Sequence, residues 1–223
     1  HLYEKTAKLG GQYYTAAIPP GKGEIYQFLI WQMNRMNKLG VKVHLNQPLT
    51  EEIVAEEKPD AIIIATGGKP IMPDIPGIDK PIVTNAHDVL EEKVATGPKV
   101  VIVGGGLIGS ETANYLVHHG RAVTIVEQRH DIALDEEDSV RYFLLKDLKE
   151  HDVNVHVNSK VVEITDDGVV IEKNGEKITL SGFDKVVMAV GVKPDNQLAE
   201  ILKGKAPEVI VVGDAKEARK ALE

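Results

Sequence analysis

The sequence predicts an α/β fold made of two Rossmann-like dinucleotide-binding domains. Each is three-layered around a parallel sheet, with a β-hairpin layer in the second and the first incomplete. Three observations predict this. Residues 99 to 128, KVVIVGGGLIGSETANYLVHHGRAVTIVEQ, read as strand, glycine turn, helix and strand with almost no slack. Part of the chain recurs, HLYEK at 1 to 5 matching TIVEQ at 124 to 128 and AIIIATGGKP at 61 to 70 matching KVVMAVGVKP at 185 to 194. Asp166-Asp167-Gly168 and Lys173-Asn174-Gly175 punctuate three short β runs between 160 and 180, a hairpin layer able to cover one sheet face.

The glycine stretch is the most informative. Residues 100 to 103 form a β-branched run of the kind buried in a parallel sheet, and Gly104, Gly105, Gly106 and Gly109 follow as G-x-G-x-x-G. Gly104 permits the tight turn, Gly106 lets backbone approach a pyrophosphate, and Gly109 lets helix pack on strand. The amides opening the helix supply the anion site, with Ile108 among the residues of this loop expected at the cofactor. Gly120 stops the helix, and a second strand at 122 to 126 ends in Glu127, 23 residues after Gly104, where a carboxylate accepts from both hydroxyls of an adenosine ribose. A tight turn without ligand would explain the glycines and leave Glu127 unexplained. The same acid favours NADH over NADPH by repelling a 2′-phosphate, although Arg129 could pair with one.

The rest of the chain follows in order. Glu4 lies 61 residues before Ala65 and Glu127 lies 62 before Ala189, so the copies share their internal spacing, offset by about 123 residues. Twenty-eight positions separate Lys99 from Glu127, whereas only three residues precede Glu4; roughly two dozen more are expected upstream, in an intact parent protein. Residues 9 to 12 read as a glycine loop and 16 to 20 as an extended approach to a helix over 23 to 38. That helix carries an Ile25, Phe28, Leu29, Met33 and Met36 stripe beside Trp31, expected to be core. Residues 41 to 45 alternate as a strand, Thr50 caps a short helix, 60 to 66 read as a buried strand, and proline-rich 69 to 79 as an interdomain crossing. A helix between 134 and 152 runs through Tyr142, Phe143, Leu145 and Leu148, and 153 to 157 mirrors 41 to 45. Residues 184 to 189 close the second sheet; a short helix at 195 to 202, a strand at 209 to 212 and Gly213-Asp214 end the chain. The expected domains are a partial FAD-type domain at 1 to 95 and 196 to 223, and an inserted NAD(H) domain at 96 to 195.

Composition narrows the function. The chain has 223 residues, 43% of them hydrophobic, and a formal net charge of −8 without a basic cluster, which argues against nucleic acid and an anionic membrane as partners. Its apolar runs are strand-sized and it has no cysteine, so neither a membrane span nor a redox C-x-x-C is expected and a cytoplasmic location is the default. No two of its eight histidines have ligand spacing along the chain, so no metal is expected. Ser110-Glu111 lacks the G-x-S-x-G elbow, and Glu111 reads either as structural or as lining the nicotinamide side.

YEK, LGGQ, AAIPPGKGEI, IATGGKPIMPDIPGID, VIVGGGLIGSET, VGVKPDN and VGDAKEARKALE together resemble the C-terminal half of the NADH:flavin oxidoreductases, the group that includes 2,4-dienoyl-CoA reductase, 2-enoate reductases and trimethylamine dehydrogenase. The resemblance covers the whole chain. It implies FAD held by Glu4, Gly10, Gly11, Gln12, Ala65, Thr66, Gly67, Gly213 and Asp214, and a nicotinamide dinucleotide held by Gly104, Gly106, Gly109, Glu127 and Gly191. It further implies an N-terminal barrel domain of the same parent, with FMN and a 4Fe–4S cluster, that reduces an unsaturated substrate. Hydride passes between two cofactors in this arrangement, so no catalytic side chain is expected. The alternative is a noncatalytic adenine-nucleotide-binding domain, which the resemblance to trimethylamine dehydrogenase permits.

Overall fold

The computed structural model describes residues 1–219. In chain order its elements are β1 (Leu2–Tyr3), α1 (Gly11–Ala16), α2 (Gly23–Lys38), β2 (Val43–His44), α3 (Glu51–Glu57), β3 (Ala61–Ile64), β4 (Gly68–Pro70), β5 (Val83–Asn85), α4 (Ala86–Leu90), β6 (Lys99–Val103) and α5 (Leu107–His118). There follow β7 (Ala122–Val126), α6 (Asp138–Glu150), β8 (Asn154–His156), β9 (Lys160–Ile164), β10 (Gly168–Lys173), β11 (Glu176–Ser181), β12 (Lys185–Met188), β13 (Val192–Pro194), α7 (Gln197–Ile201) and β14 (Glu208–Val211), then a 3-10 turn at Gly213–Ala215. Residues 220–223, the end of the quoted VGDAKEARKALE stretch, lie outside the described residues.

The chain forms two compact units, one of residues 1–17, 22–69 and 192 onward, the other of 18–21 and 70–191. The division falls at 69/70 and 191/192, not at the expected 95/96 and 195/196. The reason is β5, which pairs in parallel with β12 and carries α4 into the second unit's core.

In the second unit the five strands run parallel in the order β5-β12-β6-β7-β8. Strand side chains alternate between faces, and β6 divides accordingly. Val100 and Ile102 face the layer of α4, α5 and α6 with Ala113, Leu116 and Leu148, while Val101 and Val103 face Val161, Ile164, Val169 and Ile171 of the antiparallel β9-β10-β11 layer. The expected three layers are therefore present, and the central strand β6 is dry on both faces: Val100, Val101 and Ile102 are all 0% exposed. β10 and β11 close on Asn174 and Gly175 at φ 54° and 83°, the positive pair that a two-residue hairpin turn requires.

The first unit repeats half of this plan. Glu4 N donates to His44 O at 2.9 Å and Gln47 N to Glu4 O at 2.9 Å; in the second unit Glu127 N donates to His156 O at 2.8 Å and Ser159 N to Glu127 O at 2.9 Å. β1 pairs β2 and β3 pairs β14, both in parallel. Among the described residues no strand stands between β3 and β1, the place β6 takes between β12 and β7. β3 was expected to be buried, but only Ile62 and Ile64, on one face, pack with Val54 and Leu202, while Ile63, on the opposite face, is 66% exposed.

Two further expectations differ. The supposed loop and extended approach hold α1, capped by Gly10 at φ 121°. The α2 stripe buries Leu29 alone; Phe28 and Trp31 stack on each other on the surface, with ring centroids 5.9 Å apart.

Candidate functional site

Each glycine of the 104 to 109 turn has its own physical reason. Gly104 sits at φ 102°, and a Cβ there would lie 2.4 Å from Ala189 O. At Gly109 a Cβ would lie 1.9 Å from Gly104 O, so the first turn of α5 rests directly on the strand-leaving backbone. Gly105 is covered by Ile132, 2.5 Å from where a Cβ would be. Gly106 differs. Its φ of −65° suits any residue, and a Cβ would meet nothing nearer than 3.5 Å, the mobile ends of Arg129 and Asp135. Gly104, Gly109 and Gly105 are demanded by packing, whereas nothing in the packing requires glycine at 106, the N-cap of a twelve-residue helix.

Glu127, only 5% exposed, ends β7 beside this turn. Its Oε2 accepts from Gly105 N at 2.6 Å and its Oε1 from Arg129 N at 2.7 Å. The acid therefore has a structural duty as well, that of tying the glycine turn to the neighbouring strand. A carboxylate offers about four acceptor positions, so these two bonds do not exhaust it.

Two residues missed as ligands of the loop complete it. Asp135 accepts from Leu107 N at 3.1 Å, placing a carboxylate on the first amide of α5, and Arg129 lies 3.5 Å from both Glu127 and Asp135. The intervening segment folds back through Ala133, whose N donates to Gly105 O at 2.7 Å from a φ of 50°. Ser110, fully buried, donates to Gly105 O at 3.1 Å, which makes it part of the turn and not a nucleophile. Ile108 packs against the helix-side core, so it reaches the turn through its backbone. Gly191, at φ 104°, follows the end of β12, with only Ile71 within reach of a Cβ, at 3.8 Å.

In the first unit the implied flavin residues fall into two groups. Glu4 ends β1 and accepts on Oε1 from the Thr6 amide and hydroxyl, both at 2.7 Å. The amide two residues on is thus bound as Arg129 N is by Glu127. Ala65, Thr66 and Gly67 follow β3, and Gly213 and Asp214 follow its partner β14, where Val212 N donates to Ile64 O at 3.0 Å. Both sets stand at carboxyl ends of parallel strands, where such folds bind ligands. Gln12 closes on this group by donating to Gly68 O at 3.0 Å, and Thr66 donates to Asp195 O. Gly10 and Gly11 are spent on the start of α1, with Leu29 3.2 Å from a Cβ at Gly10. Among the described residues this unit has no glycine turn opening a helix like that of 104 to 109 in the second unit.

None of the helices is long and apolar enough to cross a membrane, among the described residues.

Residues 37–215 match the model of the family described as pyridine nucleotide-disulphide oxidoreductase. Bilirubin reductase of Mediterraneibacter gnavus (strain CC55_001C) is 36% identical over 216 residues, 97% of this chain and 34% of the relative. NADH oxidase of Thermoanaerobacter brockii is 38% identical over 220 residues, 96% of this chain and 34% of that one. A solved 2-naphthoyl-CoA reductase superposes at TM-score 0.93 with 35% identity, over 98% of this chain and 33% of that chain. The chain thus spans about a third of the length of these relatives. The resemblance to flavin-dependent reductases read from the motifs is borne out, and domains of this family bind FAD and NAD(H). With no cysteine among the 223 residues, none of them can form the disulphide in the family's description. By fold, by glycine turn and by sequence, the chain belongs to the pyridine nucleotide-disulphide oxidoreductase family.

Proposed function

We propose that these residues are the dinucleotide-handling part of a larger NADH-dependent flavoprotein reductase, with NADH on the second unit. The observation that carries the proposal is the open approach over Gly106 at the head of α5, between glycines that packing alone requires. The amides of that helix face the pyrophosphate, Glu127 takes the adenosine ribose, and Gly191 gives backbone room near the nicotinamide. Glu4, Gln12, the 65 to 67 turn and Gly213-Asp214 line the FAD of the first unit. With both cofactors bound, NADH would supply a hydride to FAD, and the electrons would pass on singly through a 4Fe–4S cluster to FMN in a barrel domain of the same parent that would reduce an unsaturated substrate. This chain's part is to bind and orient, so no side chain has to move a proton.

The test is anaerobic mixing of the intact protein with NADH. Loss of the oxidised flavin absorbance at the rate of turnover supports the proposal. NADH binding without flavin reduction would instead identify a noncatalytic nucleotide-binding domain.

A further inference from the structure

We infer that His118, Asp147 and His151 form a site for a divalent transition-metal ion at the C-terminal ends of α5 and α6. Along the chain the two histidines are far apart, and the fold joins them. His118 Nε2 lies 2.9 Å from Asp147 Oδ2, and His151 Nδ1 lies 3.2 Å from Asp147 Oδ1 and 2.9 Å from the Asp147 backbone O, a contact that an ion on Nδ1 would replace. One ligand atom from each residue falls within 4.8 Å of the other two. The imidazole rings stand 4.5 Å apart and tilted by 50°, converging on the carboxylate without stacking flat.

Three features favour an ion over a plain histidine–carboxylate hydrogen-bond pair. Two imidazoles and a carboxylate are the donor set of zinc, nickel and copper, not of magnesium or calcium, which take oxygen. His118 is the last residue of α5 and His151 caps α6, so two helix C-termini direct their partial negative charge at one place. Asn114, 6% exposed, donates at 2.7 Å to Asp147 Oδ2, the oxygen that also meets His118, and so fixes the carboxylate as outer partners of metal ligands do. Three protein ligands leave one tetrahedral position to water at this half-exposed place. Bound there, the ion clamps the end of α5 opposite the glycine turn to α6.

Calorimetric titration of the chelator-stripped chain with Zn²⁺ tests the site, with Mg²⁺ as control and the melting temperature as a second readout. Wild type should bind one Zn²⁺, release protons and melt at a higher temperature, with no response to Mg²⁺. The exposed-position variants His118→Ala and His151→Ala should each lose at least about tenfold in affinity, and the double variant should lose the melting shift. No saturable Zn²⁺ binding by wild type would overturn the assignment. So would a double variant that folds, by circular dichroism, and binds as wild type does.

Discussion

The Glu127 carboxylate accepts from the Gly105 amide at 2.6 Å, joining residues 22 apart in sequence. The acid placed for the ribose is therefore also the brace of the turn placed for the pyrophosphate. Affinity and local stability should fall together when it is removed.

Glu127→Ala leaves the Gly105 and Arg129 amides without their acceptor. At about 1–3 kcal/mol for each of the two orphaned donors, urea denaturation should report a loss of about 2–6 kcal/mol. NADH should weaken more than NADPH, narrowing the gap between them. Wild-type binding of NADPH as tight as that of NADH would remove the ribose role and leave only the brace.

Gly109→Ala should be costly whether or not a ligand binds, because its Cβ falls 1.9 Å from Gly104 O. A shift of α5 to relieve that overlap should cost about 3 kcal/mol, the upper range for overpacking. A melting temperature equal to wild type would contradict the packing described for the turn.

Asp135 holds the Leu107 amide, one of the donors a pyrophosphate would use. Asp135→Asn removes a competing charge from the head of the helix. NADH affinity should rise by up to about tenfold, the worth of one charged hydrogen bond of about 1.5 kcal/mol. A loss of affinity would assign Asp135 to ligand binding instead.

Acid should destabilise the second unit early. Burial lowers His87 from its ordinary 6.5, outweighing Glu91 and Asp88, and burial with Lys173 lowers His156 from the same value. A histidine with a lowered folded-state pKa binds fewer protons folded than unfolded. Its stabilisation is full above about 6.5 and is lost as pH falls through the lower folded value. Melting temperature should therefore drop as pH falls below about 6.5, and His87→Gln should flatten that slope. An unchanged slope in the variant would place the linkage elsewhere.

The layered plan and the local turns were legible in sequence; which side chains meet across elements was not. The turn from β6 into α5 is written in consecutive residues, and the repeat located Glu4 opposite Glu127 before any fold was known. The return of Ala133 and Asp135 onto the glycines has no such mark, since an acidic run reads as solvated surface. α1 was hidden by its two opening glycines, which usually interrupt helices. The exposure of Ile63 depends on what covers its face of β3, and that of Phe28 and Trp31 on what packs against α2; neither is a property of the segment itself. His118 and His151 meet only because α5 and α6 lie side by side.

The central claim, that a nicotinamide dinucleotide binds over Gly106, is tested most directly by titrating NADH into wild type and Gly106→Ala by calorimetry. At φ −65° the alanine fits the backbone and meets nothing within 3.4 Å, so the variant should fold and melt as wild type does. The added methyl fills the approach to the helix amides. One NADH per chain should bind wild type, and the variant should bind at least about tenfold more weakly, a difference of about 1.4 kcal/mol. Equal NADH affinity in a Gly106→Ala protein that folds normally would contradict the claim.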